Sequence, residues 1–445
     1  MSSFIHDHAD TPTSGLEHDA RMIHATDPIA PGRIAIGVVI ARMTEFFDFF
    51  VYGIASVLVF PHLFFAASDP LTGMLYSFAV FSVAFIARPF GSVLFMSVDR
   101  QFGRAAKLTA ALFTLGGSTI AISFLPSYAD AGLLAPILLI VFRIGQGLGL
   151  GGSWDGLASL LALNAPEKHR GWYAMIPQLG APIGFMLASG LFIVFVHSLT
   201  QEEFLEWGWR FPFFVAFALN VVALFARLRL LMTSEFGSLL DRHELQPRPV
   251  GEMLRVHGRD VLAGVFVPLA SFALFHLMTV FPLGWVTLFS DQEVAWFLSV
   301  QFTGALVAIA TVVLSGILAD RLGRRTLLGI AAILIAIFSF VAPHLLAAGP
   351  TGRYTYVLVG FALLGLSFGQ AAGALASRFS LTYRYTASAV TSDIAWLIGA
   401  GFAPLVALSL SSAFGIAFAG YYLLSGAVCT LIALAFSKRL EITNE

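Results

Sequence analysis

The chain has 445 residues, of which 58% are hydrophobic and only 11% are charged, with 43 phenylalanines and a mean hydropathy of +0.84. Soluble globular proteins contain about 25% charged residues, so this composition excludes a large soluble core and indicates a membrane protein. The formal net charge of −1 gives no indication of a nucleic acid partner.

The first 33 residues are polar, rich in His, Asp and Pro, and lack the apolar core of a signal peptide, which predicts a disordered cytoplasmic tail at 1–33. A membrane-spanning helix needs about 20 mostly apolar residues. Twelve such segments follow, so the predicted fold class is an all-α membrane protein with twelve transmembrane helices. They lie near 34–60, 74–98, 107–125, 132–163, 172–197, 208–231, 260–286, 293–318, 326–347, 354–377, 386–410 and 414–437.

A polar stretch divides the twelve segments into six and six. We therefore predict an N-terminal half at 34–231, a cytoplasmic linker at 232–259, a C-terminal half at 260–437 and a cytoplasmic tail at 438–445. Most Lys and Arg residues, Arg227 among them, fall in loops on one side of the predicted bundle. By the positive-inside rule, that side and both termini are cytoplasmic.

Each half carries an Asp-Arg pair followed by Gly-Arg after its second apolar segment, about half a chain length apart. The glycine of each motif permits a tight turn, and the aspartate can pair with an arginine or meet the N-terminus of a neighbouring helix. Such internal repetition is typical of transporters. We predict that these residues form a conformational latch rather than only setting topology; they are Gly91, Asp99, Arg100, Gly103, Arg104, Asp320, Arg321, Gly323 and Arg324.

Arg42, Glu45 and Asp48 lie three residues apart inside the first apolar segment, on one helical face. A charge in the bilayer core costs about 2.5–3.5 kcal/mol on insertion scales, so we expect the three to face a polar, water-filled chamber. Asp48 and Glu45 are candidates for proton coupling, and Asp155 in the fourth segment is a third. The alternative is a permanent ion pair, which Arg42 could form with Glu45.

Arg88, followed by Pro89, and Arg143 also lie inside apolar segments, and each needs a carboxylate partner or an anionic ligand. Further substrate contacts are predicted among the remaining polar and aromatic residues of the segments, although each could equally bond a neighbouring helix. No His/Cys cluster or nucleotide-binding pattern occurs, so no metal or cofactor is expected. The further candidates are Arg42, Gln146, Gln178, His276, Gln301, Gln370, Asp393 and Trp396.

The doubled loop motif resembles the signature of the major facilitator superfamily over nearly the whole membrane chain. Shorter segments resemble its metabolite:proton symporter branch, among them Glu45-Phe-Phe-Asp48-Phe, Arg88-Pro-Phe-Gly91 and Arg143-Ile-Gly-Gln146-Gly. That branch usually has an acidic residue where this chain has Ser153. The resemblance implies a proton-driven importer of small organic acids or zwitterions, such as di- and tricarboxylates, shikimate or betaines.

We therefore expect a transporter and not an enzyme, in a bacterial inner membrane, that takes up a small organic anion with protons by alternating access. Its expected partners are the substrate, protons and the lipid bilayer, and a monomer suffices. Two alternatives stay open, a proton-coupled exporter of small lipophilic compounds and a symporter of betaines or amino acids. Exporters usually carry an adjacent Gly-Pro pair in the fifth segment. Here an alanine separates Gly180 from Pro182, which weakens the exporter alternative.

Overall fold

The computed structural model describes residues 31–153, 167–231, 246–376 and 379–436, and all secondary-structure elements in these residues are helices. Ten of its segments are long and apolar enough to cross a membrane. One of them, Pro70–Ser123, contains Gly103 at φ 81° and is therefore two spans joined by a turn. The helix Pro31–Leu58, which carries the charged face of the first span, completes the twelve predicted helices.

We number these spans α1 to α12 in chain order. Several are composite: α5 contains a 3₁₀ turn at Ile176–Leu179, α6 a π turn at Phe204–Gly208, and α11 a π turn at Leu397–Gly401. The spans are α1 Pro31–Leu58, α2 70–102, α3 104–123, α4 Leu134–Gly152, α5 Arg170–Ser198, α6 Gln201–Arg229, α7 Leu269–Phe289, α8 Val294–Leu322, α9 Arg324–Ala347, α10 Gly349–Gly373, α11 Thr382–Phe414 and α12 Ala417–Phe436.

The predicted linker and the predicted seventh span differ from the structure at their shared boundary. A helix at Val250–Phe266, which we call the linker helix, runs across it, and α7 begins only at Leu269. Pro268 separates the two helices, because a proline has no backbone N–H to continue the helical bonding. The linker helix packs on α11, where Tyr383 donates a hydrogen bond of 2.5 Å to Glu252.

Small residues bring α2 and α4 into close backbone contact. A Cβ atom on Gly147 would overlap backbone atoms of Ala84, and one on Gly151 would overlap the Arg88 carbonyl oxygen. Gly91 on α2 meets the backbone of Leu148 in the same way, so this residue of the predicted latch belongs to helix packing. Close approach at small residues is how helices associate within lipid, where little hydrophobic driving force is available.

The two halves meet along two main seams, with α5 against α8 and α2 against α11. Aromatic side chains from both halves fill the middle of this interface. Phe46 of α1, for example, contacts Phe275 of α7 and Trp396 of α11 with ring centroids 5.8 and 6.2 Å apart. The charged residues of the first span therefore lie next to the interface of the two halves.

Candidate functional site

Glu45 lies at the centre of a buried ionic network. Its carboxylate pairs with Arg42 at 2.7 Å, as the three-residue spacing predicts, and with Arg227 of α6 at 2.5 Å. Ser153 donates a hydrogen bond of 2.7 Å to the same carboxylate. Arg227 also donates to the carbonyl oxygens of Ser153 and Ala41. A carboxylate held by two guanidinium groups and a hydroxyl is well compensated in its charged form.

Asp48, one turn further along α1, has a different environment and is 1% exposed. Thr119 of α3 donates to its carboxylate at 2.8 Å, Asn220 of α6 at 2.5 Å, and Gln146 of α4 at 3.2 Å. Among the described residues Asp48 forms no ion pair. Neutral donors therefore surround this buried carboxylate.

Arg143 pairs with no carboxylate among the described residues, although the sequence predicts a carboxylate partner or an anionic ligand for it. It donates to the Gln146 side-chain oxygen at 3.0 Å and to the Phe81 carbonyl at 3.1 Å, and its guanidinium lies 3.7 Å from the centre of the Tyr52 ring. Gln146 in turn donates to Asp48, so the amide lies between the cation and the acid. The aromatic face and the carbonyl take the place of an anion.

Arg88 and Asp393 form an ion pair of 2.7 Å between α2 of the N-terminal half and α11 of the C-terminal half. Ser92, one turn after Arg88, donates to the second Asp393 oxygen and contacts the Gly151 carbonyl at 3.1 Å. The Arg88 guanidinium also lies 5.9 Å from the centre of the Trp396 ring. This ion pair thus bridges the two halves.

A cavity of about 30 Å³ adjoins both charged groups. A site needs roughly 10–15 Å³ to hold one water molecule, so this space takes about two waters and no metabolite. The expected chamber is therefore nearly closed in this conformation, and its charged side chains are paired. The cavity is lined by Arg42, Glu45, Phe46, Phe49, Phe85, Arg88, Leu150 and Trp396.

His276 of α7 is fully buried at the interface of the halves. Its Nδ1 lies 3.2 Å from the Thr279 hydroxyl, and its Nε2 has no hydrogen-bond partner among the described residues. Gln178, in the 3₁₀ turn of α5, is likewise buried, and its side-chain nitrogen has no partner in the same part of the chain.

Two predicted substrate contacts hold the scaffold together instead. Pro282 of α7 cannot donate to the Met278 carbonyl, and Gln301 of α8 supplies the missing donor, bonding the carbonyls of Met278 and Thr279 at 2.7 and 2.9 Å. Gln370 lies near the turn between α8 and α9, where it bonds the Gly171 carbonyl at 3.1 Å. Its side-chain oxygen accepts from Arg324, so Gln370 is removed from the central cavity.

The predicted latch lies at the end of the bundle that carries the turns at Gly103 and Gly323, which we call the basic end. Asp320 accepts hydrogen bonds from the backbone N–H groups of Gly171 at 2.6 Å and Trp172 at 3.1 Å, so it caps the first turn of α5 across the interface. Arg324 donates to the Arg170 carbonyl of α5 at 3.5 Å across the interface, and to the Gly373 carbonyl of its own half at 2.9 Å. Arg321 on the same turn is exposed.

The first copy of the motif makes a different contact. Asp99 pairs with Arg104 at 3.2 Å and with Lys107 at 3.8 Å. Lys107 donates to the Tyr385 hydroxyl of α11 at 2.7 Å, so cations link this half to the other. Arg100 is exposed and donates to the Ser97 hydroxyl at 2.8 Å. Both copies thus join the halves at the basic end, one through a backbone cap and one through side chains.

Sequence reasoning missed three residues of the central network. Arg227 was assigned to the basic loops, but it is 2% exposed and bound to Glu45. Asn220 and Thr119 were overlooked among apolar neighbours. The seven-residue spacing of Asn220 and Arg227 places both on one face of α6 and could have identified them, whereas Thr119 gives no such signal. Asp155 lies outside the described residues.

Comparisons with known proteins agree with this architecture. A model of the Major Facilitator Superfamily matches residues 38–404. The inner membrane metabolite transport protein YhjE of Escherichia coli strain K12 is 39% identical over 411 residues, which are 90% of this chain and 93% of the relative. The shikimate transporter of the same strain is 29% identical, with 86% and 88% covered.

Two further comparisons are with another relative and with a solved structure. The proline/betaine transporter of Salmonella typhimurium strain LT2 is 30% identical, with 87% of this chain and 79% of the relative covered. The crystal structure of a D-xylose-proton symporter superposes with a TM-score of 0.72 over 92% of this chain and 98% of that chain. The identity there is 18%, so this likeness concerns the fold.

Proposed function

The chain belongs to the major facilitator superfamily, and from this premise we propose that it imports a small organic anion together with a proton by alternating access. Membrane transport follows from the family itself and from relatives that are metabolite transporters. The coupling ion, the substrate class and the direction are our proposal. It rests chiefly on Asp48, a buried carboxylate held by neutral donors.

Asp48 is the better of the two proton-coupling candidates within the described chain. Protonating Glu45 would leave Arg42 and Arg227 without their shared counter-ion in a buried site, which is strongly unfavourable. Protonating Asp48 breaks none of the ion pairs among the described residues, and the Thr119 and Gln146 side chains can reorganise around a neutral acid. Asp48 can therefore change its charge while the surrounding helices keep their packing.

Arg88 is the proposed anion contact. Its guanidinium borders the small cavity, and its present partner Asp393 belongs to the other half of the protein. A substrate carboxylate offers the same two oxygens and can replace Asp393 on Arg88. Such an exchange would loosen the cross-half ion pair when substrate is present, which ties anion binding to the movement of the halves.

The conformation described here is compatible with a carrier that is closed at the basic end. Asp320 and Lys107 join the halves there, whereas a cavity of about 260 Å³ separates them at the opposite end, between Leu58, His62 and Thr287 among others. We propose that the basic end is cytoplasmic, in accordance with the positive-inside rule. The cavity at the opposite end is then the remnant of the outer entrance.

A zwitterionic substrate is a second candidate, supported by the aromatic walls of the central cavity. Phe46, Phe49, Phe85 and Trp396 line it beside Arg88. Aromatic faces attract quaternary ammonium groups, while Arg88 would take the carboxylate of the same molecule. The proline/betaine transporter among the relatives agrees with this possibility.

The experiment is uptake into vesicles reconstituted with the purified protein, with the membrane potential clamped and a pH gradient of one unit imposed. One coupled proton supports about tenfold accumulation per pH unit, because one unit corresponds to roughly 1.4 kcal/mol. Labelled malate, shikimate and glycine betaine would be compared while a trapped dye reports internal pH. We expect uptake of one of them to acidify the interior.

The matched variants are Asp48→Asn and Asp291→Asn, since Asp291 is an exposed acid at the opposite end. Asp48→Asn should abolish accumulation but retain exchange of internal for external substrate, whereas Asp291→Asn should behave as the wild type. Accumulation by Asp48→Asn at the wild-type ratio would refute the assignment of the proton to this residue.

A further inference from the structure

His276 is the buried polar side chain whose position the transport scheme above leaves unexplained. Four aromatic rings surround its imidazole, three of them from the N-terminal half, with ring centroids between 5.2 and 5.8 Å away. A phenylalanine would fill this place without burying an unpaired nitrogen, which costs free energy. The rings belong to Phe49, Phe81, Phe85 and Phe275.

The hydrogen bonds around the imidazole fix which nitrogen carries the proton. The Thr279 hydroxyl donates to the Phe275 carbonyl at 2.8 Å, and a carbonyl can only accept. The same hydroxyl must therefore accept from Nδ1 of His276, which lies 3.2 Å away. In a neutral imidazole Nε2 then carries a lone pair and no proton. This buried acceptor has no donor among the described residues.

The position of His276 relative to Arg88 indicates where a donor for this acceptor could bind. Phe49 and Phe85 contact the imidazole and also line the small cavity that Arg88 borders. On the other side, Phe275 and Thr279 line an apolar cavity of about 20 Å³. Since Phe49 and Phe85 belong to one half and His276 to the other, separation of the halves would uncover Nε2 towards the space next to Arg88.

We propose that His276 Nε2 is a specificity-determining contact that accepts a hydrogen bond from the substrate while Arg88 binds its carboxylate. The substrate class is then a small carboxylate that also carries a hydrogen-bond donor, as a hydroxy acid or an amino acid with an N–H group does. Simple carboxylates and fully methylated betaines lack that donor. This inference rests on the proposed function, because it requires the anion site at Arg88.

The test measures binding of matched ligand pairs to the purified full-length protein by isothermal titration calorimetry. The pairs are malate with succinate, lactate with propionate, and proline with N,N-dimethylproline. In the wild type, at least one pair should show tighter binding of the donor-bearing member by about 3- to 10-fold, the usual range for one hydrogen bond. His276→Phe should bring the two members of that pair to equal affinity.

Two further variants make the result specific. His276→Gln keeps an accepting oxygen and should retain part of the preference, and His276→Leu replaces His276→Phe if the larger ring prevents folding. His344→Phe, at an exposed position of α9, is the matched control and should bind as the wild type does.

Two outcomes would overturn the inference while leaving the proposed function intact. One is equal wild-type affinity for both members of every pair that binds, and the other is an unchanged preference in His276→Phe and His276→Leu. If no carboxylate binds at all, the proposed function fails and the inference fails with it, whereas uptake that moves no protons in the vesicle assay refutes only the proposed proton coupling.

Discussion

Replacing Arg227 by methionine tests whether the Glu45 network stabilises the N-terminal half. The substitution keeps most of the side-chain volume but removes the 2.5 Å ion pair to Glu45 and the 2.9 Å bond to the Ser153 carbonyl. Removing one partner of a buried ion pair costs about 3–5 kcal/mol. Because Arg42 still pairs with Glu45, we expect the free energy of unfolding to fall by the lower end of this range, about 3 kcal/mol.

Thermal unfolding of the purified protein measures this loss. An unfolding entropy of roughly 2.1 cal/mol/K per residue over 445 residues gives about 0.9 kcal/mol/K, so the midpoint should fall by about 3 °C. Arg229→Met is the matched control, because Arg229 lies two residues away on α6 and is exposed. Its effect should stay within about 0.5 kcal/mol.

A double-mutant cycle isolates the interaction itself. Glu45→Gln removes the charge from the other side, and the two guanidinium groups then repel each other without a counter-ion. Combining it with Arg227→Met should be less destabilising than the sum of the single effects, by about 0.5–3 kcal/mol. Additive effects, or equal midpoints for Arg227→Met and Arg229→Met, would show that the ion pair carries none of this stability.

Three other substitutions test the scaffold and the latch. Gly151→Ala should destabilise the protein by about 1–3 kcal/mol through overlap with α2, whereas Gly117→Ala, which meets open space, should not. Gln301→Leu leaves two carbonyls at the break of α7 without their donor and should lower the unfolding midpoint, at about 1–3 kcal/mol per buried group. Asp320→Ala should accelerate amide hydrogen exchange at Gly171 by at least about tenfold, measured by mass spectrometry; unchanged exchange would argue against the cap.

The sequence was sufficient to predict what depends on local chemistry. Apolar length predicted the twelve spans, and the repeated glycines predicted turns that the structure has at φ 81° for Gly103 and 83° for Gly323. Both proposed roles of the motif aspartates also occur, since Asp99 pairs with an arginine and Asp320 meets a helix N-terminus. The two aspartates differ in role because each turn contacts a different segment of the other half.

The partners of the buried charges could not be predicted, because they depend on which helices are neighbours. Arg227 looks like a loop residue until α1 and α6 are seen packed antiparallel, which brings Glu45 to Arg227 and Asp48 to Asn220. Gln301 is similar: an intramembrane glutamine suggests a ligand contact, yet Pro282 on a neighbouring helix leaves the Met278 carbonyl without its helical donor, and Gln301 supplies one. The partners of such buried groups are determined by tertiary structure.

The contacts between the halves differ in how strictly they define one arrangement. Aromatic packing, such as Phe46 against Trp396 or Phe49 against His276, is weakly directional, so rings can exchange neighbours as the halves rotate. The Arg88–Asp393 pair and the Asp320 cap require defined positions of both partners. In the function proposed above, a substrate anion that competes for Arg88 would act on one of these position-specific contacts, and a small ligand would thereby shift the balance between two states of so large an interface.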